Sequence, residues 1–175
     1  MSETLHLGCG TDIRAGMHNV DKIAIDGVDE VVDLEDFPWP WERNEWDHIL
    51  ANHVFEHFDD VEKALRETQR ILKPNETAKI TVPIGMNAVA DPDHKHVWIY
   101  DTPEYYCGKR HWDIDVGLRV QSRSVELHPH LNGIGGAIQK LCIEGYERFH
   151  GQGRWMFDVP ITSGEFTVVF VNDRK

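Results

Sequence analysis

Apolar and polar positions alternate in short runs along most of this chain, and each run sits beside a turn signal. Leu5, His6 and Leu7 read as a short buried strand. Gly8, Cys9 and Gly10 follow as a glycine turn, then an abbreviated connection and a second short strand, Asn19, Val20 and Asp21. Val28 to Leu34 (VDEVVDL) is rich in β-branched residues and predicts a third strand. Phe37 to Trp41 (FPWPW) carries two prolines within three positions, which forces extended backbone and makes a connector. Its aromatic side chains either cap the sheet, the expected role for at least two of the three, or cover part of a ligand. Trp46 to Ala51 (WDHILA) predicts the next buried strand.

From Asp59 to Leu72 the period changes to that of a helix. Val61, Ala64, Leu65, Thr68, Ile71 and Leu72 form one stripe, Asp59 or Asp60 can cap the start, and Lys73-Pro74-Asn75 ends it. Glu62 with Arg66 and Lys63 with Glu67 stand at the i,i+4 spacing on the outer side. Thr77 to Pro83 (TAKITVP) alternates and predicts a fifth strand. Ile84 to His111 is a long segment dense in His, Asp and aromatic residues, with a short helical candidate at Thr102 to Gly108; loops of this length in compact domains are usually functional. Beyond it, VGLRVQSRSVEL predicts a strand or hairpin arm and HPHLNGIGG a turn-rich insertion. Ala137 to Leu141 reads as a helix end, and Cys142 to Phe149 with Gly164 to Asn172 as a final strand pair. No repeat, linker or low-complexity run divides the 175 residues, so residues 1–175 are expected to form one domain.

A net charge of -12 argues against general nucleic-acid binding, which needs a basic surface to displace counterions; Arg119, Arg123 and Lys140 offer only a local basic set. Cys9, Cys107 and Cys142 are widely spaced and contain no CxxC, which fits a reducing cytoplasm better than a disulfide framework or a zinc knuckle. The first residues enter a strand without a charged and then apolar leader, and no apolar run approaches about 18 residues. The expectation is a cytoplasmic protein, neither exported nor membrane-spanning.

The candidate chemistry gathers first at Gly8–Asp21. A strand that ends in a glycine turn lets backbone approach a ligand, and a carboxylate ending the neighbouring strand can accept both hydroxyls of a ribose. The dinucleotide pattern G-x-G-x-x-G is not met: its third glycine position is Ile13, and Asp21 comes too early. Thr11 to His18 is also too short for a full helix whose N-terminus would hold a pyrophosphate. A cofactor with a ribose and no phosphate fits better, and a nicotinamide enzyme ranks below it.

LHLGCG, NVD, VVDLEDFPWPW, WDHILANHVFEHF and the run to RILKPNETAKITVP together resemble the class I S-adenosylmethionine-dependent methyltransferases, in particular short members of the methyltransferase type 11 group. The resemblance covers roughly Leu5 to Pro83. It implies an α/β fold with a Rossmann-like, mostly parallel seven-stranded sheet, the last strand antiparallel, here with a reduced first helix. It implies S-adenosylmethionine as cofactor and an unidentified methyl acceptor as partner. It places Gly8, Cys9, Gly10 and Asp21 at the cofactor's backbone and ribose, Asp33 and Leu34 beside adenine, and Asn52 and His53 at the methionine end, with Glu56 near them. His53, His94 and His96 are the candidate general bases.

Metal chemistry is a weaker reading of the same residues. His53 and His57 are four apart, but HVFEH is not HExxH and implies no third ligand nearby. His57 is expected to pack or hydrogen-bond at a helix start. Asp91, Asp93, His94 and His96 offer ligand types in one loop. Two rival classes therefore stand beside the methyltransferase: a catalytically inactive module that binds S-adenosylmethionine, and a metal-dependent hydrolase or lyase using loop 91–96. His128 and His130 flank Pro129 and splay apart, so they do not form a shared site.

Overall fold

The computed structural model describes residues 3–108, 114–128 and 163–174. Seven strands form one sheet: β1 (Thr4–Leu7), β2 (His18–Asp21), β3 (Glu30–Val31), β4 (Trp46–Asn52), β5 (Leu72–Gly85), β6 (Leu118–His128) and β7 (Ser163–Asn172). Their order is β3-β2-β1-β4-β5-β7-β6. The first five run parallel, and β7 lies antiparallel to both β5 and β6. The chain leaves β1 in one direction for β2 and β3, then returns to β4 on the other side of β1. The strand ends at this reversal open a crevice where α/β sheets bind ligands.

Because side chains alternate across a strand, paired residues of neighbouring strands share a face. Leu7, Ala51, Ile80 and Val168 lie on one such row, and Ile49, Ala78 and Phe170 on another. All are buried in a single core with Val61, Ala64, Leu65 and Ile71 of α1 (Val61–Ile71). The opposite face carries polar pairs. His6 Nδ1 is 3.2 Å from Asn19 Oδ1, His48 Nδ1 is 3.1 Å from Thr77 Oγ1, and the Thr81 and Thr167 hydroxyls are 2.9 Å apart. Parallel strands covered on both faces are normally apolar throughout. Here, among the described residues, the connections 8–17 and 22–29 contain no helix, so no apolar stripe needs burial against that face and its strand positions are free to be polar.

Helix α1 forms as its pattern predicts. The Asp60 side chain accepts the Lys63 N–H at 2.9 Å, and Arg66 pairs with Glu62 at 2.8 Å. The expected pairing of Lys63 with Glu67 does not form: Glu67 binds Arg70 at 2.7 Å and accepts the Trp39 N–H at 2.8 Å, while Lys63 lies over the Phe37 ring. A partly buried carboxylate tied to the connector wins over an exposed pair. Trp39 and Trp41 are buried in the core beneath this connector.

Three boundaries depart from the sequence reading. The third strand shrinks from seven residues to Glu30–Val31. At its start the Asp29 carboxylate, not a backbone carbonyl, accepts the Asn19 N–H of β2 at 2.7 Å, and at its end the Asp33 carboxylate accepts the Glu35 N–H at 3.0 Å in a side-chain-bonded turn. β5 instead begins where α1 stops, at Leu72, and runs past Pro83 to Gly85. Pro83 fits because β4 pairing ends at Asn52 with Thr81, and Thr81 already turns its carbonyl to that side, toward the His53 N–H. Finally, β7 pairs with β6 at Leu118–His128, where the sequence suggested Cys142 to Phe149; that segment, Ala137 to Leu141 and His130 lie outside the described residues.

After β5 come two five-residue helices, α2 (Met86–Ala90) and α3 (Thr102–Tyr106). The segment between them is anchored by Trp98, 1% exposed, against Phe55. Among the described residues no helix is long and apolar enough to cross a membrane.

Candidate functional site

At the C-terminal ends of β1, β2, β3 and β4 lies a cavity of about 650 Å³. One wall is built from Gly8, Asp21, Asp33 and Leu34. Gly8 has φ +59°, and a Cβ there would meet Val54 Cγ2 at 2.5 Å. A side chain at this position would occupy the floor of the cavity, which is why the turn after β1 needs glycine. Gly10, at φ +49°, donates its N–H to Asp21 Oδ2 at 2.8 Å, and Ile23 donates to Asp21 Oδ1 at 3.0 Å. Each carboxylate oxygen thus holds one backbone donor and keeps a second acceptor position. The Asp33 carboxylate is held by the Glu35 N–H. Leu34 contributes apolar surface with Val32, Val54 and Phe58. Cys9 supports this wall from behind: it is buried, its N–H donates to the Val20 carbonyl at 3.0 Å, and burial pushes its thiol pKa up, with Asp21 adding to the effect.

The other wall comes from the end of β4 and from the segment after α2. His53, Val54, His57 and Phe58 face Pro92, Asp93 and Lys95 across the cavity. His53 adopts φ +54°, which turns the chain out of β4. Its Nδ1 lies 3.5 Å from Glu56 Oε1 and its Nε2 3.3 Å from Glu165 Oε1. The adjacent Glu56 carboxylate holds the His53 pKa above its ordinary value, against the opposing effect of burial. Lys95 donates to Asp59 at 2.7 Å and reaches Glu35 at 3.4 Å, tying the loop across the rim. The Glu56 carbonyl accepts the N–H groups of Lys95 and His96 at 2.8 and 3.1 Å, pinning the same loop from below.

The candidate residues therefore separate. Gly8, Asp21, Asp33, Leu34 and His53 line one cavity. Gly10 and Cys9 shape the turn behind it. Asn52 does not line the cavity: it ends β4 on the polar face of the sheet, with Asp12 nearby. Asn52 is still in β4 and follows its alternation, whereas His53 leaves the strand at positive φ and enters the lining. His94 and His96 also lie outside the lining. His94 is instead packed edge-on to His57 with ring centroids 4.9 Å apart, while the His96 N–H serves to hold the loop. None of the aromatic residues Phe37, Trp39 and Trp41 lines the cavity. Sequence reasoning missed His57, Asp93 and Lys95 as cavity residues; HVFEH carried the signal for His57, and the charged run DPDHKH that for Asp93 and Lys95.

Residues 3–78 match the family model described as "Methyltransferase domain". A comparison with curated proteins finds no match. Solved structures with a similar fold include a complex of the Haloferax volcanii Trm112 methyltransferase activator with a methyltransferase: 19% identity, covering 99% of this chain and 83% of that one, TM-score 0.61. A SAM-dependent methyltransferase from Archaeoglobus fulgidus is 15% identical over 97% of this chain and 86% of its own, at TM-score 0.62. The [4+2]-cyclase SpnF is also 15% identical, over 99% and 75%, at TM-score 0.60. The match over residues 3–78 makes that stretch similar to the methyltransferase domain, and the strand order gives the chain the fold of these methyltransferase structures.

Proposed function

We propose that the cavity binds S-adenosylmethionine and that the chain transfers its methyl group to an acceptor. The observation that carries this reading is the pairing of a cavity floor closed to any Cβ at Gly8 with an Asp21 carboxylate that keeps acceptor capacity beside it. These fit a ribose and a close backbone approach. The helix-free connection 8–17 supplies no pyrophosphate cradle, which suits a cofactor without phosphate. On this reading Asp21 accepts the ribose hydroxyls, each bond to its charge contributing roughly 1.5 to 3 kcal/mol. Adenine rests on Val32 and Leu34 with Asp33 at its edge, and the methionine end runs toward His53.

S-adenosylmethionine supplies the reactive methyl as a sulfonium. The chain's contribution is to exclude water and hold donor and acceptor in line, an effect of roughly 7 to 11 kcal/mol. Of the three candidate bases, His53 alone lines the cavity, so it is assigned the proton-handling role; a base would add a further ~10²- to 10⁴-fold. The net charge of -12 disfavours a nucleic-acid acceptor, and three widely spaced cysteines with no CxxC suit a reducing, cytoplasmic setting.

Isothermal titration with S-adenosylmethionine and S-adenosylhomocysteine, on the native chain and on Asp21→Ala, tests this directly. Binding by the native chain that weakens in the variant is expected. No binding of either compound by the native chain would overturn the reading. Binding without methyl transfer to any of a broad panel of acceptors would favour the inactive module, a reading that the fold shared with a cyclase keeps worth testing.

A further inference from the structure

We propose that Glu56, His57 and His94 bind a divalent transition-metal ion at the foot of the histidine wall, and that this ion receives an oxygen of the methyl acceptor. The second half of the proposal rests on the cofactor reading above; the first does not. The three residues each offer a ligand atom, and these atoms all lie within 4.8 Å of one another. Glu56 is 1% exposed, and neither of its carboxylate oxygens accepts a hydrogen bond. A carboxylate taken out of water without partners is among the costliest groups a fold can hold, and buried charges are normally paired or coordinate metals. The imidazoles around it do not close the account, since His53 Nδ1 and His94 Nε2 stand 3.5 and 3.9 Å from Oε1.

The histidines are oriented as ligands. His57 Nδ1 lies 3.1 Å from the Asp93 carbonyl and His94 Nδ1 3.2 Å from the Ala88 carbonyl. A carbonyl can only accept, so each Nδ1 carries the proton and each Nε2 keeps its lone pair, the arrangement that outer partners impose on metal-binding histidines. His94 Nε2 is turned toward both Glu56 Oε1 at 3.9 Å and Asp91 Oδ2 at 3.7 Å. Metal bonds of about 2.1 Å at tetrahedral angles put ligand atoms ~3.4 Å apart. Binding therefore needs a contraction on the order of 1 Å, within reach of a ring on the loop after α2.

Two imidazoles and one carboxylate suit ions of the manganese-to-zinc series rather than magnesium or calcium, and three protein ligands leave a position open. Because His57 also lines the cavity beside His53, the ion would border the methionine end, where an acceptor has to meet the methyl group. This points to an acceptor with a hydroxyl that can join the ion. In the transfer the methyl carbon–sulfur bond breaks as the carbon–oxygen bond forms. The broken bond's electron pair stays on sulfur as a neutral thioether. The hydroxyl proton, made more acidic by the cation, passes to His53 and from there to solvent.

The test is titration of chelator-treated protein with cobalt(II), read by its visible absorption, with zinc as competitor, on the native chain, Glu56→Gln and His94→Ala. The native chain is expected to bind one cobalt at least 100-fold more tightly than either variant and to release it to zinc. Absence of saturable binding by the native chain, or equal binding by a folded variant, overturns the site; His94→Ala, which alters a loop residue, decides if Glu56→Gln fails to fold. Adding acetohydroxamate, a bidentate oxygen ligand, to the cobalt protein should change the spectrum. An unchanged spectrum overturns the acceptor role. S-adenosylhomocysteine titration of metal-free protein separates the two readings: cofactor binding without cobalt binding sinks only the metal site, and the reverse sinks only the cofactor site.

Discussion

The two walls of the cavity handle their carboxylates in opposite ways. On the glycine wall, Asp21 and Asp33 are fixed by N–H groups from residues 8 to 35, and each bond closes over a short stretch of chain. On the histidine wall, Glu56 is more deeply buried, has no hydrogen bond to either oxygen, and meets His94 from 38 positions further on. The first wall is already held in shape by backbone donors and still offers acceptor positions on Asp21. The second buries a carboxylate that has imidazoles nearby and no hydrogen bond, the kind of group that recurs at functional sites. The proposed cofactor site thus lies on a wall held by backbone donors, and the proposed metal site on one that holds a carboxylate without a hydrogen bond.

The largest expected effect breaks the glycine wall. Gly8→Val places a β-branched residue at φ +59° and against Val54, costs of roughly 1 to 2 and 1 to 3 kcal/mol. S-adenosylhomocysteine affinity by titration should fall by ~30-fold or more. A variant that binds normally would show that the floor is not where the cofactor lies.

Next is Asp21→Ala, which removes both the ribose acceptor and the anchor for the Gly10 N–H. A loss of about 10- to 150-fold in cofactor affinity follows from ~1.5 to 3 kcal/mol. Asp21→Asn should fall between the two, and should lower the melting temperature because the N–H donors of Gly10 and Ile23 lose a charged acceptor.

Glu56→Gln sharpens the contrast by having the opposite sign. In metal-free protein it removes a buried carboxylate that has no hydrogen bond, so stability should rise by about 1 kcal/mol or more. For a chain of this size that is roughly 2 to 4 °C in melting temperature. A lower melting temperature would mean that Glu56 is already paired in the folded chain and that the walls are alike.

The smallest effect concerns the support beneath the glycine wall. His6 is buried under the turn beside Asn19, and burial holds its pKa below the ordinary value. The fold favours the neutral ring. The stability this supplies is therefore complete above about pH 6.5, the ordinary histidine value, and is lost as pH falls through the lowered folded-state pKa. Denaturant melts between pH 7.5 and 5 should show that decline, and His6→Gln should flatten it. An unchanged slope in His6→Gln would assign the acid sensitivity elsewhere.

Much of the glycine wall could be read from sequence because its contacts are local. The turn after β1, the acid ending β2 and the capped helix α1 each follow from residues within a few positions of one another, where backbone geometry and alternation act directly. The errors arose where a distant partner decided the outcome. β5 runs past Pro83 because β7 pairs with it. Glu67 abandons Lys63 because the connector brings the Trp39 N–H to it. Asn52 is turned from the cavity because the strand continues one residue further than its apolar run and alternation sets its face.

By itself the sequence determined the α/β class and the glycine turn and acid from Gly8 to Asp21 that border the cavity, since short-range sterics and periodicity encode both. Only the tertiary structure decided which histidines share a site. HVFEH holds two of the three proposed ligands, and the third stands on a loop whose distance along the chain carries no spacing rule. His94 reaches Glu56 because the Glu56 carbonyl accepts two N–H groups of that loop, a bond between chain segments that no local pattern announces.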